Sequence, residues 1–119
     1  MEIVNGSCHC GAVVFEVELD NGLQNVRRCN CSLCRRKGAV MAGVPVEKLR
    51  VTRGADQLSL YQWNQKIAKH YFCRTCGIYT HHQRRSNPSE FGFNVACLDG
   101  VDPYALDVAV SDGASMPLE

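Results

Sequence analysis

The sequence predicts an all-β fold, a small domain of short strands, and two observations predict it. Short runs of β-branched and aromatic residues recur between Gly, Asn, Asp and Pro turn signals, and almost no stretch has the apolar period of a helix. Seven of the eight cysteines also fall into three tight runs, Cys8-His9-Cys10-Gly11, Cys29-Asn30-Cys31-Ser32-Leu33-Cys34 and Cys73-Arg74-Thr75-Cys76-Gly77. Runs so far apart along the chain can close a fold that a modest core alone holds weakly.

The elements follow in order. Residues 12–19 are β-branched and aromatic, alternate in their second half, and read as a strand that Asp20-Asn21-Gly22 closes with turn chemistry. Residues 26–31 read as a short strand running into the second cysteine run, and 32–36 as one helical turn. An apolar stretch runs from Gly38 to Val44, and 45–49 reads as a helical turn started by Pro45, whose fixed φ suits that place. Residues 50–53, 57–63 and 66–72 are strand-like and are separated at Gly54 and Asn64. Past the third cysteine run, 78–83 is a strand, 84–89 a polar loop, 91–98 a strand, 99–103 a turn and 104–110 a last strand. The tail from Ser111 carries no periodic signal and is expected to be loose.

A length of 119 residues predicts a single domain over 1–119, and 45% hydrophobic with 21% charged residues is ordinary for a globular chain, which excludes fibrous and disordered classes. Residues 1–7 have neither a basic patch nor an apolar core, so no secretory signal is read, and no apolar stretch approaches the ~20 residues that span a bilayer. A reducing cytoplasm is then the expected compartment, where cysteine runs serve as metal ligands more often than as disulfides. Eight cysteines would permit four bridges, but disulfide frameworks disperse their cysteines and these are clustered.

The net charge of +1 is unevenly spread. Residues 90–119 hold six acidic residues and no Lys or Arg, which leaves a balance of +7 over residues 1–89. No acidic residue lies in 27–37 or 57–89, the stretches around the second and third cysteine runs. Cations there relieve the negative charge of a zinc held by several thiolates, although a solvated basic face is the plainer reading of any single Arg.

Cysteines two or three residues apart can set their sulfurs on one ion; four thiolates close a tetrahedral zinc site and three leave a position open. If 26–31 is a strand, Cys29 and Cys31 share a face and Cys34 comes one turn later; the same logic pairs Cys8 with Cys10. Cys73 and Cys76 form a two-residue-spaced knuckle. The first and third runs both end in Cys-Gly, where a residue without Cβ can take positive φ and turn backbone amides toward sulfur; the middle run does not. Cys8, Cys10, Cys73 and Cys76 are therefore grouped as a closed structural zinc site, and Cys29, Cys31 and Cys34 as an open, candidate catalytic one. Candidates for a fourth ligand of the open site are Cys97, His9, His70, His81 and His82. Cys97 lies in an apolar strand, where an inert buried thiol is the simpler reading. Adjacent His81 and His82 cannot both face one site, and ordinary packing is the simpler reading of each histidine.

The joint order Cys-x-Cys-Gly, Cys-x-Cys-x-x-Cys, Cys-x-x-Cys-Gly, matched at all seven positions, resembles the glutathione-dependent formaldehyde-activating enzyme family, which also contains centromere protein V. The resemblance spans about residues 6–112. It implies a zinc-binding all-β fold of short antiparallel strands in two small sheets, structural zinc at Cys8, Cys10, Cys73 and Cys76, and catalytic zinc at Cys29, Cys31 and Cys34, the same division that the glycines give. It also implies a carbon–sulfur lyase whose partners are glutathione and formaldehyde. The family's named enzymes are longer than this chain, so a different thiol or aldehyde is open to it.

An open zinc position can bind a thiol as thiolate or polarise an aldehyde oxygen, and the sequence does not choose between them. Arg27, Arg28, Arg35, Arg36 and Lys37 are candidates to receive the carboxylates of a glutathione-like ligand. The function expected is thus a zinc-dependent lyase acting on a small thiol–aldehyde adduct. The alternative is a non-catalytic zinc module binding nucleic acid or protein, supported by the +7 balance and opposed by the acidic tail and the lack of a long basic run. Zinc or thiol buffering is a third reading.

Overall fold

The computed structural model describes residues 2–63 and 66–115. It is mainly β, with two sheets and one short helix. The first sheet has the order β1 (Glu2–Ser7), β2 (Val14–Leu19), β5 (Leu49–Arg53), all antiparallel. The second is larger than the sequence predicted, with seven strands. Their order is β10 (Ala109–Ser111), β3 (Gln24–Cys29), β4 (Met41–Pro45), β9 (Glu90–Asn94), β8 (Tyr79–Gln83), β7 (Lys69–Cys73), β6 (Leu58–Tyr61). Every pair in it is antiparallel except β3 with β10, which is parallel. The helix, α1 (Ser32–Lys37), follows β3 and ends at Gly38, whose φ of 66° suits a residue without Cβ.

The two sheets meet through alternating side chains. Phe15, Val17 and Leu19 of β2 point inward while Glu16 and Glu18 face outward, where both pair with Arg50 of β5. The inward set packs with Ala42 and Val44 of β4, Phe93 of β9 and the following Val95, in one core cluster. Phe15 is fully buried and its ring lies over Gly6 of β1, where a Cβ would come within 2.6 Å of it. Truncating such a ring costs about 3–5 kcal/mol. A second cluster of Cys8, Val13 and Cys73, with Leu58 and Cys76 against it, forms around the first and third cysteine runs.

Several expectations shift. The N-terminal stretch, not read as an element, forms β1. The strand expected over 26–31 runs instead from Gln24 to Cys29, so Cys31 is not part of it. The strand expected over 91–98 stops at Asn94, whose side chain accepts from Ala96 N at 3.1 Å and turns the chain into a 3-10 turn. Of 104–110 only the end is strand; Asp102 accepts from Tyr104 N at 3.0 Å and starts a 3-10 turn at Pro103–Ala105. The tail is not loose at Ser111: that residue ends β10, and Gly113–Ser115 forms a further 3-10 turn. The expected break at Asn64 lies outside the described residues.

Candidate metal centre

The chain brings the seven cysteines together as two groups. Cys8, Cys10, Cys73 and Cys76 form one and Cys29, Cys31 and Cys34 the other, with the sulfurs of each group within 4.8 Å of one another. All eight cysteines are free. Sulfur–sulfur distances of 3.7 Å for Cys8–Cys10 and Cys10–Cys73 far exceed a disulfide's ~2.05 Å. They equal the edge of a tetrahedron, ~3.8 Å, that Zn–S bonds of ~2.3 Å define. Both groups are therefore able to bind a metal such as zinc.

Local backbone geometry explains the four-sulfur group. β1 ends at Ser7, and the chain reverses so that Gly11 N donates to Cys8 O at 3.3 Å. The third run also reverses, in a turn one residue wider, with Gly77 N donating to Cys73 O at 2.8 Å. Gly11 and Gly77 take φ of 81° and 78°, as the Cys-Gly pattern predicts. These turns aim amides at sulfur: Val13 N donates to Cys8 Sγ at 3.3 Å and Thr75 N to Cys73 Sγ at 3.4 Å. Backbone amides of Cys10 and Ile78 draw the Cys76 thiol down to about 6, which favours the thiolate that metals bind.

The three-sulfur group is built differently from the strand pairing expected of it. Cys29 ends β3, Cys31 is the N-cap of α1, and Cys34 sits in the helix's first turn. Cys31 Sγ accepts from Cys34 N at 3.4 Å, as a capping side chain does, and its pKa is lowered although burial opposes the shift. Cys34 is more enclosed, and burial together with the neighbouring Cys31 and Cys29 pushes it up to about 12. A bound cation would reverse that last effect.

No candidate fourth ligand joins this group. Cys97 is buried and its thiol faces Tyr79 O at 3.7 Å; burial pushes it up to about 12. His9 is exposed beside the other group. His81 is held in the core by Thr80 Oγ1 at 2.9 Å and by stacking on Tyr71 at 4.7 Å. His70 and His82 are placed near the three cysteines but are not among the clustered ligands.

All three cysteines line a cavity of about 180 Å³, which His70, His82, Trp63 and Ile67 also line. That is smaller than a typical ligand pocket of ~300–1,000 Å³, so it suits a small thiol, or the thiol end of a larger one. Of the five basic residues expected to receive carboxylates, only Arg27 lines it. Arg28 donates to Gly38 O at 2.9 Å, Arg36 to Ser32 O at 2.6 Å, Arg35 is exposed, and Lys37 turns toward His70. The 84–89 loop supplies what the sequence reading missed: Arg84, Arg85 and Ser86. Arg84 pairs with Glu90 at 2.6 Å, and Arg27 feels both of them, which leaves two guanidiniums to one carboxylate. The acid-free stretch 57–89 was the available signal.

The tail forms another wall, through Ser111 and Gly113. A Cβ on Gly113 would lie 2.5 Å from Cys29 Sγ and 3.1 Å from Cys31 Cβ. Glycine is required by that approach.

Comparison with known proteins follows the same lines. The family model for glutathione-dependent formaldehyde-activating enzyme matches residues 3–110. A Halomonas elongata protein bearing that name provisionally is 32% identical over 83 residues, covering 62% of this chain and 52% of the relative. A Fusarium vanettenii protein with the same provisional name is 32% identical over 76 residues, covering 60% of this chain and 40% of the relative. The chain thus spans about half or less of the length of these curated relatives. A crystal structure of a Rhodobacter sphaeroides protein is 60% identical with a TM-score of 0.86, covering 90% of this chain and 99% of that one.

Proposed function

Since the chain belongs to the glutathione-dependent formaldehyde-activating enzyme family, we propose that it is a zinc-dependent carbon–sulfur lyase that joins a small thiol to formaldehyde or a similar aldehyde and releases them again. The observation that carries this reading is the three-cysteine group opening into a small cavity, while the four-cysteine group by itself offers a full tetrahedral set. In this reading Cys8, Cys10, Cys73 and Cys76 hold a structural zinc, and Cys29, Cys31 and Cys34 hold the catalytic one. A zinc on three thiolates has one coordination position left, where it lowers a thiol's pKa and holds it as thiolate.

The chain's own residues would do the rest. Arg27 and Arg84, balanced only in part by Glu90, form a seat for a carboxylate and orient a thiol acid such as glutathione. The small volume leaves the remainder of a tripeptide at the mouth. Trp63 and Ile67 supply apolar wall that limits water around the reacting carbon. Among the described residues no helix is long and apolar enough to cross a membrane. We place the reaction in a reducing cytoplasm, where seven clustered thiols stay available for metal.

The test is the thiol–aldehyde exchange itself, followed by NMR of carbon-13 formaldehyde with the zinc-loaded protein. Faster appearance of the S-hydroxymethyl signal with a carboxylate-bearing thiol, and loss of most of that advantage over an uncharged thiol in Arg27→Ala, is the expected result. An exchange rate equal to that of the protein-free solution contradicts the lyase reading; tight, salt-sensitive DNA binding would then favour the non-catalytic module.

A further inference from the structure

Two histidines share the cavity with the three cysteines without joining their cluster: His70 of β7 and His82 of β8. They are register partners across the β7–β8 ladder, and their rings stack at 5.3 Å and 27°. Lys37 Nζ lies 2.8 Å from His70 Nδ1 and 3.4 Å over the centroid of the Tyr79 ring, so its ammonium is held from two sides. The Tyr79 hydroxyl hydrogen-bonds His82 Nδ1.

These partners favour one tautomer for each ring. An ammonium only donates, so His70 Nδ1 accepts. Burial holds the Tyr79 phenol well above its ordinary pKa, so it keeps its proton, and giving that proton to His82 Nδ1 is the arrangement that leaves no buried hydroxyl proton unpaired. Both rings are neutral: burial first, and Lys37 second, draws His70 down to about 4, and burial holds His82 well below its ordinary value. Each ring therefore carries its proton on Nε2. Among the described residues no buried side-chain nitrogen or oxygen is without a partner. Neither Nε2 takes part in the bonds to Lys37 and Tyr79, so the Nε2–H groups are available to the cavity that both rings line.

We propose that His70 and His82 form a paired N–H donor, an oxyanion hole, for the oxygen of an aldehyde in the three-cysteine cavity, with Lys37 and Tyr79 as positioning residues that fix the two tautomers. The inference rests on the thiol–aldehyde reading above. As a thiolate sulfur adds to the carbonyl carbon, the C–S bond forms and the C=O π pair moves onto oxygen, which becomes an alkoxide. The two Nε2–H groups meet that charge, and the alkoxide then takes a proton from solvent water, to which the thiol lost one on ionising. In the reverse direction the same donors stabilise the alkoxide as the C–S bond breaks. Donors aimed at developing charge in a site of low dielectric are each worth about 10²–10³ in rate.

Two measurements test this. Nitrogen-15 NMR of the zinc-loaded protein is expected to show protonated Nε2 and unprotonated Nδ1 for both rings, with His82 losing that preference in Tyr79→Phe, a variant that deletes one oxygen. Thiol affinity is then measured separately from the rate of formaldehyde addition to the bound thiol. His70→Ala and His82→Ala are each expected to hold thiol affinity within about threefold and to slow addition about 100-fold, with Tyr79→Phe slowing it less. Rings protonated on Nδ1, or unchanged addition rates with thiol bound, overturn the oxyanion assignment and leave the thiol site standing. Absence of thiol binding to the unaltered protein overturns the thiol–aldehyde reading and this inference with it. The NMR arm uses the unaltered chain, so it decides even where an alanine variant fails to fold.

Discussion

Asn30 Nδ2 donates to Asp112 Oδ1 at 3.0 Å, which ties the residue between Cys29 and Cys31 to the C-terminal segment. Asn30 Oδ1 accepts from Ala114 N at 2.9 Å, and Asn30 N donates to Ser111 O at 3.1 Å. One side chain thus holds a cavity wall onto the loop that carries the three-cysteine group. Asn30→Ala is expected to speed amide exchange across residues 111–115 and to weaken metal at the three-cysteine group several-fold, leaving the four-cysteine group unchanged. Unaltered exchange in those residues would refute the latch. The two bonds lost, at roughly 1 kcal/mol each, act first on local opening of residues 111–115.

The same latch gives a pH dependence. Hydrogen bonds from Ser115 first, then Asn30, hold the Asp112 carboxyl below its ordinary value. A depressed folded pKa means that the contribution is fully present above the ordinary carboxylate pKa of ~3.9 and is lost as pH falls through the lower folded value. Exchange of the 111–115 amides, followed from pH 6 down to ~3, should therefore rise relative to the intrinsic rate only in the acid limb, and Asp112→Asn should remove most of that rise. A latch that loosens near neutrality contradicts the assignment.

Gly113→Ala tests the close approach to sulfur. Its Cβ would meet Cys29 Sγ at 2.5 Å and Cys31 Cβ at 3.1 Å, so the tail or the cysteine loop must shift. The expected result is about a tenfold or greater loss of metal affinity at the three-cysteine group, read by competition with a chromophoric chelator, with a melting temperature little changed. Equal affinity would mean that the tail does not pack against Cys29.

Much of this was legible in the sequence, and the reasons differ by residue. The two cysteine groups were, because Gly11 and Gly77 mark the two turns and because clustered cysteine spacing brings sulfurs together. Strand cores at β2, β5 and β8 were, because β-branched and aromatic residues fit a half-buried pleated surface. The route to the open group was not: Cys31 leaves the strand to cap a helix, since its sulfur finds the Cys34 amide. Asn94 ends β9, and Asp102 starts a 3-10 turn in place of the expected strand, both by side-chain capping, which apolar pattern does not register. The order of residues 111–115 depends on Asn30, far away in sequence, and so left no local signal; the rest of the expected loose tail lies outside the described residues. Arg84 and His82 reach the cavity only because β8 lies beside β7 and β9 in the sheet.

The two cysteine groups should fail differently. Cys73 is fully buried within the small apolar cluster around the first and third runs, and structural zinc contributes folding energy outright. Cys73→Ser is expected to abolish cooperative thermal unfolding or lower its midpoint sharply. Cys34→Ser is expected to keep a folded chain with about one zinc in place of two, by metal analysis after gel filtration. Equal damage from both substitutions would contradict the division into a structural and an open site.

The most direct measurement is thiol titration of the protein with cobalt in place of zinc, followed through its thiolate-to-cobalt absorption. The account predicts that a small thiol adds one equivalent of new absorption, saturably, that the change disappears in Cys34→Ser, and that Arg27→Ala weakens it for a carboxylate-bearing thiol but not for an uncharged one. A spectrum that ignores added thiol while both metal ions stay bound would contradict the open, thiol-binding centre.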